Sequence, residues 1–393
     1  MQYVDLGRLS NQNSKKKSKK KLLKFGFLTL LLGFVIYAGY ILYWPIAVLT
    51  KQILKQPASV FSLIINPKGE LKVVDGRTNF LLVGIDKRAN IPYTYTADNN
   101  VVKKNGFNTD TILVVSIDNS TKKISMISIP RDTWVTTKAK GDFETYSGKI
   151  NSLYAIGDMQ NYPDGGGMGL LKSKVQEILG IPIQYTARID FEGFRKGIDL
   201  LGGVDLVVDN TFDDYEYPRT GYEDSICSDG TYNCQVMHIH FDKGPAHMDG
   251  TTALEFARSR KGTNGEGSDF ARAKRQQKVL VAAKDKALQI KNLFDPVKLN
   301  GLFKEFGQSV DTDIDVSAMT ALYNMAKDLK TDSINSLVLS DANYLYVPAA
   351  DQYGGAYVLL PNGGNWNKIQ QAVSDLLNNK TSSSDIPASG SSN

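Results

Sequence analysis

Apolar and polar positions along the chain fall into two periods. "NFLLVGID" (79–86), "TILVVSID" (111–118) and "KISMISIP" (123–130) are short runs rich in β-branched residues and of strand length. "GLLKSKVQEIL" (169–179), "FARAKRQQKVLVAAKDKALQI" (270–290) and "DVSAMTALYNMAKDL" (315–329) repeat Leu, Val, Met and Phe at helical spacing. "GFRKGIDLLGGVDLVV" (193–208) predicts a helix halted at Gly202-Gly203 and followed by a strand. Asn362-Gly363-Gly364 and the helical pattern "NWNKIQQAVSDLL" close the series. Strands interleaved with helices predict an α/β fold, an α-β-α layered sandwich around a mixed sheet. No repeat and no Pro- or Ser-rich linker interrupts residues 76–380, which reads as one domain. Residues 51–75 form a stalk before it, and the Ser-rich tail "TSSSDIPASGSSN" (381–393) is expected to be disordered.

A different pattern precedes the stalk. "FGFLTLLLGFVIYAGYILYWPIAVLT" (25–50) carries no charge and exceeds the ~20 apolar residues that a spanning helix needs. Tyr40, Tyr43 and Trp44 lie near its far end, where amphipathic rings favour the headgroup layer. The alternative is a cleaved signal peptide, but the run is longer than an h-region and no small-x-small site follows it. One transmembrane helix is therefore expected ahead of the domain. Residues 1–24 form a basic tail that stays cytoplasmic, which puts everything after residue 50 outside the cell.

Charge sharpens this division. The tail holds eight Lys/Arg and one acid, so of 46 basic and 41 acidic residues the remainder keeps 38 and 40. The alkaline pI belongs to the tail, and a slightly acidic domain argues against nucleic acid as a partner. Outside the membrane, Cys227 and Cys234 of "CSDGTYNC" can oxidise across an Asp-Gly turn; with no further thiolate, a surface disulfide is expected rather than a zinc site. Alternation in "QVMHIHF" reads as a strand with His238 and His240 on one face; a metal reading would have only these and His247.

Candidate chemistry begins with the hairpin 111–130. A turn centred on Ser120-Thr121 sets residue 118 opposite 123, so positions summing to 241 face each other. Asp110 then lies opposite Arg131. Asp86 reaches the same sheet edge if 79–86 runs antiparallel to 111–118. Alone, Asp110 and Arg131 read more simply as an ordinary cross-strand ion pair. In "LEFARSRKGTNGEGSDFARAKRQQ" (254–277), Asp249 is the expected N-cap of the first helix and Asp269 that of the second. "RSR" is expected to leave the first helix, and extended backbone would turn Arg258 and Arg260 the same way. Arg272 and Gln276, four apart, share one face near the start of the second helix. Three guanidiniums so placed suit an anion clamp or a solvated face; these residues alone leave both readings open.

"NFLLVGIDKR", "NTDTILVVSID", "ISIPRDTWV", "KINSLYAIG", "MDGTTALEFARSR" and "DFARAKRQQKV" occur here in the order found in LytR–CpsA–Psr (LCP) proteins, and the resemblance covers roughly residues 76–375. It implies a membrane-anchored ligase that moves a glycopolymer from an undecaprenyl-pyrophosphate carrier to peptidoglycan through a phosphodiester. The resemblance assigns Asp86 and Asp110 to Mg²⁺, and Arg131, Arg258, Arg260 and Arg272 to the pyrophosphate, with Gln276 and Lys149 beside them. One departure stands out: where many members have Arg, this chain has Asn108, which donates hydrogen bonds but brings no charge. Phosphoryl transfer relies on positioning and charge stabilisation, so the lack of a Ser/His/Asp set or a reactive Cys is no obstacle. Two rivals are a polyprenyl-pyrophosphate phosphatase and a non-catalytic polyprenyl-binding or regulatory envelope protein. The acidic, tyrosine-rich segment 211–235 maps onto no motif. "DGGGMG" (164–169) lacks the Gly-Lys-Ser/Thr of a phosphate loop and reads as a turn.

Overall fold

The computed structural model describes residues 69–87, 94–96, 102–104, 106–289, 306, 309–326 and 328–378, except positions 220, 221, 223, 224, 228 and 232. The basic tail, the expected membrane span, stalk residues 51–68 and the Ser-rich tail lie outside them. Among the described residues no helix is long and apolar enough to cross a membrane.

Strand β1 (Arg77–Ile85) is followed by the short strands β2 (Thr94–Thr96) and β3 (Val102–Lys104), then by β4 (Thr109–Asp118) and β5 (Lys123–Ser128). Strands β6 (Trp134–Thr137) and β7 (Tyr146–Lys149) precede helices α1 (Leu153–Met159) and α2 (Gly166–Leu179). Next come β8 (Tyr185–Asp190), α3 (Phe191–Leu200), β9 (Val204–Val208), β10 (Phe212–Pro218), β11 (Val236–Phe241) and β12 (Gly244–Met248). Helices α4 (Gly250–Arg258) and α5 (Asp269–Gln289) lead to β13 (Val310–Thr312), α6 (Val316–Ala326), β14 (Lys330–Val338) and finally α7 (Asn367–Leu377). The helix expected from residue 169 starts three residues earlier, and Gly202 and Gly203 stop α3 at φ 77° and 85°. L-residues avoid that left-handed region, which is why a Gly pair ends the helix there.

The central sheet has the order β13-β8-β1-β4-β5-β14. β1 runs antiparallel to β4 and parallel to β8, so the sheet is mixed as expected. Period-2 alternation sends its side chains into two cores. Leu81, Val83, Ile85, Ile112, Val114 and Ile127 pack against α2 and α7. Phe80, Leu113, Val115, Ile117 and Met126 pack against α6, with Leu280 and Val281 of α5 at the margin. Each fully buried Leu, Ile or Phe contributes roughly 1.5–3 kcal/mol of transfer free energy. These cores make the α-β-α layering. A third cluster, with Phe212, Phe241 and Phe256 at its centre, joins α4, α5 and the strands β9 to β12.

The β4–β5 register runs from Leu113↔Ser128 to Ile117↔Ile124, each pair summing to 241. The turn explains it: Asp118 Oδ1 accepts hydrogen bonds from the Ser120 and Thr121 amides at 2.9 and 2.8 Å, and Lys122 takes φ 60°. Cys227 and Cys234 form a disulfide.

Candidate active site

Antiparallel pairing of β1 with β4 and of β4 with β5 brings three chain segments to one sheet edge. Asp86 follows β1, and its amide donates to the Asn108 carbonyl at 3.2 Å. Asp110 is the second residue of β4. Arg131 follows β5 and donates from Nη1 to Asp110 Oδ1 at 2.6 Å. The next residue, Asp132, is 6% exposed; its Oδ1 accepts from Lys149 Nζ at 2.6 Å, while Oδ2 lies 3.6 Å from Arg131 Nε. Lys149 thus joins the edge through a shared carboxylate. β8, parallel to β1, ends beside it with Ile85 opposite Asp190, so Phe191 at the start of α3 belongs to the same edge.

The arginine-rich stretch meets this edge from above. Asp249 caps α4, its Oδ1 accepting from the Thr252 amide at 2.8 Å. Arg258 departs from expectation: it remains in the last helical turn, and extended backbone begins only at Ser259 (φ −49°, ψ 137°). Its guanidinium lies 4.3 Å from the centre of the Phe191 ring and 5.7 Å from that of Tyr217, a cation–π seat that holds it in the helix. Asp269 also departs: it is the first residue of α5, and Ser268 is the cap, its Oγ accepting from the Ala271 amide at 3.1 Å. The Asp269 carboxylate faces Arg272 Nη2 at 3.2 Å instead. Gln276 joins the parts, donating from Nε2 to Thr111 Oγ1 at 3.0 Å and to the Ala257 carbonyl at 3.3 Å.

Two buried groups fix the loop that carries Arg260. Asp214 Oδ2 accepts from Ser259 Oγ at 2.7 Å and from the amides of Arg260 and Lys261 at 3.2 and 3.1 Å. Arg275 donates to the carbonyls of Phe256, Ser259 and Glu266. Both are nearly inaccessible to water, so their role is to hold backbone. Neither was singled out from sequence, nor was Asp132. Asp214 lies 45 residues from Ser259, and no local pattern marks it among the neighbouring acids. For Asp132 there was a signal, its adjacency to Arg131.

Electrostatics separates this site from a solvated face. The Arg272 side chain is 8% exposed. Burial lowers its pKa; repulsion from Arg260 and Arg131 lowers it further, with Asp269 and Asp110 opposing. At Arg131 burial works against the charge, yet Asp110, Asp132 and Asp269 hold its pKa above the ordinary value. Arg131 Nε is buried and donates no hydrogen bond. Arg131, Arg260 and Arg272 therefore share one neighbourhood, and guanidiniums so grouped suit an anion. Arg258, seated on Phe191, flanks it.

The donor set also suits a hard cation. Arg131 takes Oδ1 of Asp110, and Oδ2 accepts no hydrogen bond from a described residue. Asp86 and Asp110 come from adjacent strand ends. Two carboxylates completed by phosphate oxygens and water match Mg²⁺ chemistry. No group of three or more His, Cys, Asp or Glu among the described residues has metal-site geometry. The histidines are engaged elsewhere: His238 and His240 both reach Asp213, and His247 reaches Asp205.

Comparison with known proteins gives concordant matches. The model of the LytR_cpsA_psr family matches residues 51–374. Over 268 residues, 68% of this chain, the sequence is 27% identical to the polyisoprenyl-teichoic acid–peptidoglycan teichoic acid transferase TagV of Bacillus subtilis (strain 168). Over 244 residues, 62% of the chain, it is 31% identical to the transferase TagU, of the same description, from Oceanobacillus iheyensis. The matched regions span 59% and 61% of those relatives' own lengths. The crystal structure of B. subtilis TagV superposes with a TM-score of 0.52 at 25% identity, covering 78% of this chain and 99% of that one.

Proposed function

Since the chain belongs to the LytR–CpsA–Psr family, we propose that it transfers a glycopolymer from an undecaprenyl-pyrophosphate carrier to peptidoglycan, leaving a phosphodiester and undecaprenyl phosphate. One observation carries this reading: the buried Arg272, 3.2 Å from Asp269, shares its surroundings with the exposed Arg260 and with Arg131, which pairs with Asp110. Guanidiniums gathered at one sheet edge suit a polyanion, and a pyrophosphate diester supplies two phosphates. The TagV and TagU relatives, named as teichoic acid transferases, support the substrate class.

In this reading Arg131, Arg258, Arg260 and Arg272 hold the pyrophosphate, and Asn108 and Gln276 orient it. Lys149, fixed by Asp132, adds positive charge near the head group. An acceptor hydroxyl oxygen attacks the sugar-linked phosphorus; the P–O bond to the lipid phosphate breaks, and the hydroxyl proton passes to one of the two aspartates. The arginines stabilise the charge gathering on the phosphoryl oxygens and the leaving phosphate. Asp86 and Asp110 would hold Mg²⁺, which supplies charge neutralisation there. The apolar run 25–50 anchors the protein with its N-terminus cytoplasmic, and the Cys227–Cys234 disulfide is at home on the extracellular side.

The test is incubation of the full chain in detergent with a lipid-linked glycan, peptidoglycan oligomers and Mg²⁺. Polymer joined to peptidoglycan, lost in Asp86→Ala, Asp110→Ala and Arg272→Ala alike, is the expected result. Free sugar phosphate alone would make the protein a phosphatase. Lipid bound without any product, unaffected by the aspartate changes, would make it a binding protein.

A further inference from the structure

The segment that matched no motif builds a hairpin with two unlike faces. The inner face of β10 carries Phe212, Asp214 and Tyr217; it enters the third core and holds the arginine loop. On the outer face, pairing is interrupted. Asp214 stands opposite Ile239 and Tyr217 opposite Met237, so Tyr215 and Glu216 together face the single residue His238. A bulge of this kind re-aims a side chain. Here it lays the Tyr215 ring flat on the His238 imidazole, with centroids 4.3 Å apart and planes 7° from parallel. Asp213 Oδ1 accepts from His238 Nε2 at 2.7 Å and from His240 Nδ1 at 2.8 Å, which fixes the lower ring. Tyr215 nevertheless remains 62% exposed. One face of the phenol ring is pinned, and the other is open to water.

A rigid aromatic face flanked by the carboxylates of Asp213 and Glu216 suits a particular class of ligand. The C–H face of a sugar ring stacks on the positive-edge, negative-face quadrupole of an aromatic, while its hydroxyls donate to adjacent carboxylates. Charge narrows the class. The outer face itself carries the carboxylates of Asp213 and Glu216, with Asp242 on His240, against Lys261 beside Glu216, so its balance is acidic and a phosphate-bearing polymer is disfavoured. We infer that the outer face of β10–β11 binds the uncharged, N-acetylated backbone of the acceptor glycan, with Tyr215 as the stacking platform. The inference rests on the transferase reading. It places acceptor recognition on the strand whose other face holds Arg260, where Lys261 Nζ also lies 3.7 Å from Glu216.

The experiment titrates the full chain in detergent with three probes: a β-1,4-linked N-acetylglucosamine pentamer, poly(glycerol phosphate) and farnesyl pyrophosphate. The pentamer is expected to bind. Tyr215→Ala should weaken it about tenfold, as expected for removal of one aromatic contact, while Tyr215→Phe binds as the parent does. Farnesyl pyrophosphate affinity should be the same in all three proteins, which also shows that the variants are folded. The inference is overturned if the parent ignores the pentamer, if Tyr215→Ala binds it equally well, or if poly(glycerol phosphate) depends on Tyr215 instead. Pentamer binding through Tyr215 with no farnesyl pyrophosphate binding would leave the platform standing and remove the transferase reading.

Discussion

Replacing Asp214 by Ala isolates the contribution of loop anchoring. Asp214 is 1% exposed and Ser259 0%, so the substitution strands the Ser259 hydroxyl away from water. A buried donor left without a partner costs about 1–3 kcal/mol. The amides of Arg260 and Lys261 regain water in part, adding roughly 0.5–1 kcal/mol between them. Asn does not repair the site. Oδ1 accepts from the Glu216 amide at 3.0 Å while Oδ2 accepts from the arginine loop, and an amide can serve only one side. The expected loss for Asp214→Ala is therefore about 2–4 kcal/mol, or a melting temperature lower by about 4–8 °C in a domain of this size. Thermal denaturation followed by circular dichroism measures the stability. Farnesyl pyrophosphate titration measures the site, and its affinity should fall several-fold as Arg260 is released. A variant that melts within about 1 °C of the parent and binds equally well would refute loop anchoring by this carboxylate.

Further expectations follow from other parts of the structure. A double-mutant cycle on Asp110→Asn and Arg131→Met, read by chemical denaturation, should give a coupling of about 1–2 kcal/mol for this partly buried charged hydrogen bond; additivity would contradict the pairing. Arg275→Met leaves Glu266 without its buried partner and should cost about 3–5 kcal/mol in the same assay. Asp118 gives a pH signature. Burial opposes its ionisation, but hydrogen bonds from Thr121 and Ser120 outweigh that and bring its pKa to about 2. A folded pKa below the unfolded one means stability that is complete above about pH 4 and lost as pH falls through 2. After discounting for solvent screening the amount is about 1 kcal/mol. Asp118→Asn should flatten the melting curve against pH over that window, and a parallel decline in both proteins would contradict it.

Local chemistry was legible in the sequence, and distant pairing was not. One Asp-capped turn fixes the register of β4 and β5, and register alone carries Asp110 to Arg131. The helices were readable because their apolar residues recur at 3.6-residue spacing, and α3 because a Gly pair ends it. The misreadings lie where tertiary contacts overrode local preference. Arg258 stays helical because Phe191, 67 residues earlier, offers its ring face. Asp269 gives up the cap because Arg272, one turn on, takes its carboxylate and Ser268 is already placed to cap. Asp214 resembled any acid of a polar segment, and only the closed fold reveals that its neighbours there are Ser259, Arg260 and Lys261.

Burial of Arg272 is costly for the fold, since its charge leaves water and lies near Arg131 and the exposed Arg260, with Asp269 and Asp110 offsetting only part of that cost. An anion bound among these arginines offsets what remains. Resistance to unfolding then rises with the logarithm of ligand concentration. Such a molecule is firmest when its anionic ligand is plentiful and easiest to unfold when the supply runs short.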